Sequence, residues 1–322
     1  NTEKENSCND LAWLIIFWIN FAATLALAIY LIIKKKPSNT KISFKIEGIK
    51  GADIGICAGV GVGVGLVSNI IHFIFIACCA KCYLGCGMAI GLIYAIIGAL
   101  MVLLGGGGLI GFILPALYLV LLIMFYCSAC KYIAFSSIML KQSAKLLLEY
   151  PGIICFCIYQ ILWTIIYNAL FCVLIYFVQK KGIHPAVYLY VVFSYLWCTL
   201  TFEYVEYMTI SGVASSWYFL VNTSYLPGSL VCASYKRAMG TSFGSAAFAG
   251  FVLAVIQFLE YIIESTADTS SDSGVLGYIC CILKCCAMCI LCLLESCVSL
   301  LNRFALIYCA AFGIPYIAAC KR

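Results

Sequence analysis

The chain has 322 residues, 65% of them hydrophobic and only 10% charged, too little polar surface to cover a water-soluble domain. Its apolar segments are too long and featureless for strands, so the expected fold class is an all-α polytopic membrane protein. The net charge of +6 comes from basic residues standing singly or in threes beside apolar runs, an arrangement that suits anchoring at membrane lipids and points away from nucleic acid.

Apolar spans are expected at 11–33, 54–79, 87–105, 107–130, 152–178, 187–221, 242–264 and 275–298. A last apolar stretch, 303–320, is interrupted by Gly313 and Pro315. The first run lacks a small-residue cleavage pattern and is long enough to span, so it is read as a helix and not a signal peptide. In the second, Gly55, Gly59 and Gly63, and also Gly61 and Gly65, recur at four-residue spacing, which lets helix backbones approach closely in lipid. A nucleotide-binding reading of these glycines fails, because no strand precedes them and no basic residue follows at once. Gly105 to Gly108 are expected to form a short turn.

Residues 131–150, KYIAFSSIMLKQSAKLLLEY, carry Lys131, Lys141, Lys145 and Glu149 opposite an apolar face, the pattern of a helix lying in the membrane interface. Pro151 ends it. Eight spans put both termini on one side, and Lys131–Lys145, Lys236–Arg237 and Lys321–Arg322 then share the cytoplasmic face. The acidic, serine-rich loop 265–274 falls outside; the six lysines of 34–50 fall there too and count against this orientation. The sequon Asn222-Thr223-Ser224 lies on the cytosolic side in this arrangement and is expected to stay unglycosylated. No internal repeat is visible, which neither supports nor excludes an inverted-repeat architecture.

The 22 cysteines fall mostly inside apolar segments, where Cys acts as a small hydrophobe. Cys280, Cys281, Cys285, Cys286, Cys289 and Cys292 form the densest run, but it has no His, so packing or acylation is expected there and metal binding is not. Neither a metal nor a cofactor is called for.

Residues 194–219, SYLWCTLTFEYVEYMTISGVASSWYF, hold two glutamates and a dense set of aromatics within a membrane-length stretch. A carboxylate in hydrocarbon is costly and usually faces a cavity or a solute path. Aromatic faces beside it hold an organic cation through the ring quadrupole. On one helix Phe202, Glu203, Glu206 and Tyr207 are related by steps of three and four, and a break near Gly212 and Ser211 would free carbonyls toward a cation. The functional reading is a midplane cage: Trp197, Tyr204, Tyr207 and Trp217 supply faces, and Glu203 or Glu206 balances the charge. The competing reading is that the glutamates are protonated or paired to fix helix packing, and that Trp217 and Tyr218 belong to an interfacial belt.

The skeleton Trp197, Thr209, Gly212, Trp217, Tyr218, Phe219 resembles a motif of choline transporter-like proteins, most closely their short-loop branch in fungi, plants and protists. Three further blocks are similar to that family in its order: residues 131–151, residues 234–257 (SYKRAMGTSFGSAAFAGFVLAVIQ), and residues 280–305 (CCILKCCAMCILCLLESCVSLLNRFA). The resemblance runs from the first span to residue 322 as a single transporter domain. It implies a fold of ten spans with both termini cytoplasmic, of which about eight are present, so the chain looks truncated at its C-terminus relative to the family. It also implies transport of choline, or of ethanolamine for some members, most often at the plasma membrane, with an organelle membrane as the alternative. By the same resemblance Ser242, Gly244 and Ser245 match a small-residue block suited to close packing at a cytosolic gate, and Arg237 and Arg303 match basic positions. Tyr204, where the family motif usually has Asn, and Tyr207, Glu203 and Glu206 depart from it.

Other intramembrane polar residues have simpler roles. Asn168 and Gln257 are expected to bond across helices. His72, beside Asn69, is a packing residue or a proton relay, and His184 before Pro185 a turn residue. Glu260 and Glu264 end a span as solvated groups or as a cation-concentrating rim. Three functions follow: a facilitator for choline-like cations working by alternating access, an intramembrane enzyme, or a non-transporting lipid-organising scaffold. With only two histidines and no catalytic constellation, the enzyme is the weakest.

Overall fold

A computed structural model describes residues 8–33, 51–104, 108–180, 184–220, 223, 228–266 and 275–322. The lysine-rich segment 34–50, the glycines at 105–107, Asn222 and Ser224 of the sequon, and residues 267–274 lie outside the described residues. The protein is an all-α polytopic membrane protein, with ten helices among the described residues. Six of these are long and apolar enough to cross a membrane, or seven if one bent pair counts as a span.

The count is lower than eight because two expected spans share the single stretch Gly63–Gly98, and the one at 107–130 counts only as part of the bent pair Leu119–Cys130 and Ile133–Glu149. The expected spans 54–79 and 87–105 both lie in α2 (Gly51–Leu104), which is two helices meeting at a kink at Cys79 (φ −135°, ψ 49°), where the first expected span ends. Near the C-terminus, the span expected at 275–298 runs on as α9 (Val275–Phe312) and absorbs the start of the next stretch. It stops where Gly313 takes up φ 64°, a left-handed conformation that suits a residue without Cβ, and Pro315 then caps the short α10 (Tyr316–Cys320).

The chain divides into two compact units. Residues 39–151 form one, where α2 packs with α3 (Gly108–Cys130) and α4 (Ile133–Glu149). Helix α4 coincides with the amphipathic segment expected at 131–150; the chain bends by 68° between Leu119–Cys130 and this helix. Gly63 and Gly65 have open space where a Cβ would stand, so these two of the striped glycines make no close helix contact among the described residues. Gly91 is different, because Tyr126 of α3 occupies the space beside it.

The other unit, residues 1–38 and 152–322, is built around α6 (Pro185–Leu220). Helices α1 (Leu11–Ile33), α5 (Gly152–Lys180), α7 (Leu230–Met239), α8 (Phe243–Thr266) and α9 all pack on it. The tightest crossing is with α8, whose Ala246, Ala247, Gly250 and Ala254 are small residues at steps of three and four. A Cβ on Gly250 would lie 2.7 Å from Thr201 Oγ1 and 3.1 Å from the Thr201 nitrogen, so only glycine allows the approach. Helix α6 is helical throughout. Gly212 therefore marks no break: it makes room for α7, with Ser234 Cβ 3.2 Å from where its own Cβ would stand.

Candidate functional site

The residues singled out on α6 point in different directions. Trp197 is buried toward α8, where its Nε1 donates to the Ala247 carbonyl at 2.9 Å. Its ring is packed by Phe17 and Phe251, with centroids at 5.5 and 5.3 Å. Tyr204 is buried as well, and its hydroxyl accepts from Asn302 Nδ2 of α9 at 2.9 Å. Asn302 also donates to the Ala249 carbonyl at 3.2 Å, while its Oδ1 accepts from the Tyr316 hydroxyl. Three helices and a backbone carbonyl thus share one amide, and no polar atom of that amide is left over.

Glu203 is exposed and Tyr207 half-buried, the latter within electrostatic reach of Arg303 on α9. Glu206 is half-buried one turn beyond Phe202, within electrostatic reach of Cys157 on α5. Trp217 is half-buried with a buried Nε1 that finds no partner among the described residues, and Tyr218 is 72% exposed. Among the described residues these side chains do not line a common cavity.

A cavity does exist beside them. Between α1, α5, α6 and α7 lies a space of about 170 Å³ lined by Trp18, Phe21, Tyr159, Gln160, Trp163, Phe202, Val205, Tyr235 and Met239. Six of the nine lining residues are aromatic, and none is charged. The walls meet at steep angles: Trp18 on Phe21 at 85°, Phe21 on Phe202 at 79°, Trp163 on Phe202 at 74° and Tyr159 on Tyr235 at 77°. In edge-to-face packing of this kind the edge of one ring rests on the face of the next. The Tyr159 and Tyr235 hydroxyls lie 3.4 Å apart. Burial and that hydroxyl push the Tyr235 phenol up to about 12, so it stays neutral across the physiological range.

Of this lining, sequence reasoning had named only Phe202. The rest comes from helices far apart in the chain, and the one local signal was Tyr159-Gln160 with Trp163 one turn on, an amide between aromatics inside an apolar span.

The small-residue block at the start of α8 is tightly engaged. Ser245 Oγ donates to Asp10 Oδ2 at 2.7 Å, and the Tyr316 nitrogen donates to the same oxygen at 2.9 Å. Ser242 is buried, and a Cβ on Gly244 would lie 2.4 Å from the Asn9 carbonyl oxygen. Arg237 donates to the hydroxyls of Ser216 at 3.0 Å and Ser234 at 3.3 Å, joining α7 to α6. Cross-helix bonds run from Gln257 to Glu295 at 2.7 Å and from the Tyr195 hydroxyl to Asn168 at 2.7 Å. His72 stacks edge-on with Tyr83 at 5.9 Å, and His184 Nδ1 accepts from the Ala186 nitrogen at 3.3 Å. Glu260 is half-buried with an unpartnered Oε1, and Glu264 is exposed. Cys285, Cys286, Cys289 and Cys292 are free and exposed on α9; among the described residues no group of three metal-ligating side chains converges.

The fold is that of an all-α polytopic membrane protein with an aromatic-walled cavity, free of lining charge, between four of its helices. A family model described as plasma-membrane choline transporter matches residues 113–322, and the chain belongs to that choline transporter-like family. Among curated proteins it is 36% identical over 133 residues to Protein PNS1 of Gibberella zeae, covering 41% of this chain and 24% of that protein. It is 26% identical over 207 residues to a CTL-like protein of Dictyostelium discoideum, covering 62% and 36%. With choline transporter-like protein 2 of Danio rerio it shares 30% identity over 127 residues, covering 38% and 18%. The matched regions thus span between about a fifth and a little over a third of the length of these relatives.

Proposed function

We propose that this protein binds choline, or a related organic cation such as ethanolamine, in the cavity between α1, α5, α6 and α7, and carries it across the membrane as a facilitator working by alternating access. The observation that carries this reading is the cavity's wall of six aromatic rings without a lining charge. A quaternary ammonium has no proton to donate, so it gains most from ring faces. A space of about 170 Å³ is the scale of a small cation and not of a lipid or a drug-sized molecule. Glu206, one turn from Phe202, supplies negative potential at the edge of the cage and no direct contact, while Trp197 and Tyr204 fix α6, one of its four framing helices, against α8 and α9.

The family supports transport over catalysis, and the plasma membrane is the expected location. Both histidines are occupied in local contacts, His72 with Tyr83 and His184 with the first turn of α6, which speaks against an enzyme built on either.

The test is uptake of labelled choline into proteoliposomes containing the full chain, with Trp163→Ala alongside. Saturable uptake in the wild type that falls at least tenfold in the variant supports the cage. Wild-type uptake no higher than that of empty vesicles overturns the reading and favours a lipid-organising scaffold.

A further inference from the structure

Among the residues lining the aromatic cavity one is out of character. Gln160 is only 5% exposed, lines the cavity, and makes no hydrogen bond to any described residue. Its neighbours make the omission more telling: the Tyr159 and Tyr235 hydroxyls engage each other, and elsewhere on α5 Asn168 is satisfied by the Thr164 carbonyl at 2.8 Å and the Tyr195 hydroxyl. Asn168 folds back onto a carbonyl of its own helix, and Gln160 makes no such bond among the described residues. The polar atoms of this amide keep some exposure within an otherwise buried side chain, so they remain free to bond a solute that enters the space.

We infer that Gln160 is the specificity-determining residue of the cage, reading the hydroxyl of a hydroxyethyl-ammonium substrate. The inference rests on the cage reading above. The ring faces hold the ammonium head whatever else the cation carries. The hydroxyethyl arm is then the only part of choline able to hydrogen-bond, donating to the amide Oε1 or accepting from Nε2. Because no lining residue is charged, the amide is also the strongest polar handle in the space. A site that expects a hydroxyl penalises a ligand without one, since the amide stays unpaired and its replacement for water is lost. The cage then separates hydroxyethyl cations from simple alkylammonium ions of the same size and charge.

The experiment is equilibrium binding of choline and of propyltrimethylammonium, which has a methyl group in place of the hydroxyl, to the purified full chain in nanodiscs. The wild type is expected to bind choline roughly tenfold more tightly. Gln160→Met keeps the length and removes the hydrogen bonds; the preference should fall to within about twofold, chiefly by loss of choline affinity. Gln160→Asn, with its amide drawn back by one methylene, should show an intermediate ratio. In Trp163→Ala both ligands should weaken together. Equal binding of the two ligands by the wild type overturns the inference and leaves the cage standing, as does a preference that survives in Gln160→Met. Failure of both ligands to bind the wild type removes the cage and this inference with it.

Discussion

Around α6, the wall facing α8 and α9 and the wall facing α1, α5 and α7 are built from the same kinds of side chain but differ in what is left over. Toward α8 and α9, Trp197, Tyr204, Asn302 and Tyr316 are buried and each polar group has a partner. Toward α1, α5 and α7, rings of similar size leave a space of about 170 Å³ and an unpaired amide. Aromatic rings pack on both sides, so their presence does not by itself mark a binding site. Unfilled volume beside an unsatisfied group marks one, because packed and paired side chains have nothing further to offer a ligand.

The comparison can be broken most decisively at the filled wall. Asn302→Leu strands the Tyr204 and Tyr316 hydroxyls in the core, and the expected loss is about 3 kcal/mol, read as a lower melting temperature in detergent. Gly250→Leu forces α8 away from Thr201 and should cost about 2 kcal/mol by the same measurement. If either variant melted like the wild type, the α8 side of α6 would not be the close-packed wall described here.

At the open wall the order reverses, with ligand affinity changing more than stability. Trp163→Ala should weaken choline binding by roughly tenfold with little change in melting temperature. Glu206→Gln acts only through the local field, and a loss of about threefold is expected, reduced by salt. A loss as large as that of Trp163→Ala would place the carboxylate against the cation and redraw the cage. The smallest effect belongs to Tyr218→Ala: the side chain is 72% exposed at the end of α6, so both affinity and melting temperature should stay within error of the wild type.

How much of this was legible beforehand depended on how local the cause was. The long apolar runs at 11–33, 152–178, 187–221 and 242–264 became α1, α5, α6 and α8 because hydrophobic length and backbone satisfaction are properties of a segment. The helix at 131–150 was readable from its own charge pattern. The break expected after 79 falls at the kink at Cys79, whereas the boundary at 298–303 was not readable, since a dip in hydropathy does not end a helix that lacks a breaker. Gly212 misled for a related reason: glycine can break a helix or admit a neighbour, and the choice lies with Ser234, twenty-two positions away.

The candidate site was legible only at Phe202. Trp18, Phe21, Tyr159, Trp163 and Tyr235 come from α1, α5 and α7, and no spacing within one segment announces that their faces share a space. The sequence by itself determined that this is a helical membrane protein of the choline transporter-like family, because burial in lipid and motif chemistry are written along the chain. Which aromatics are core and which are wall was decided only by the tertiary structure. That distinction depends on whether a neighbouring helix fills the space beside each ring, and this is a property of the packing between segments.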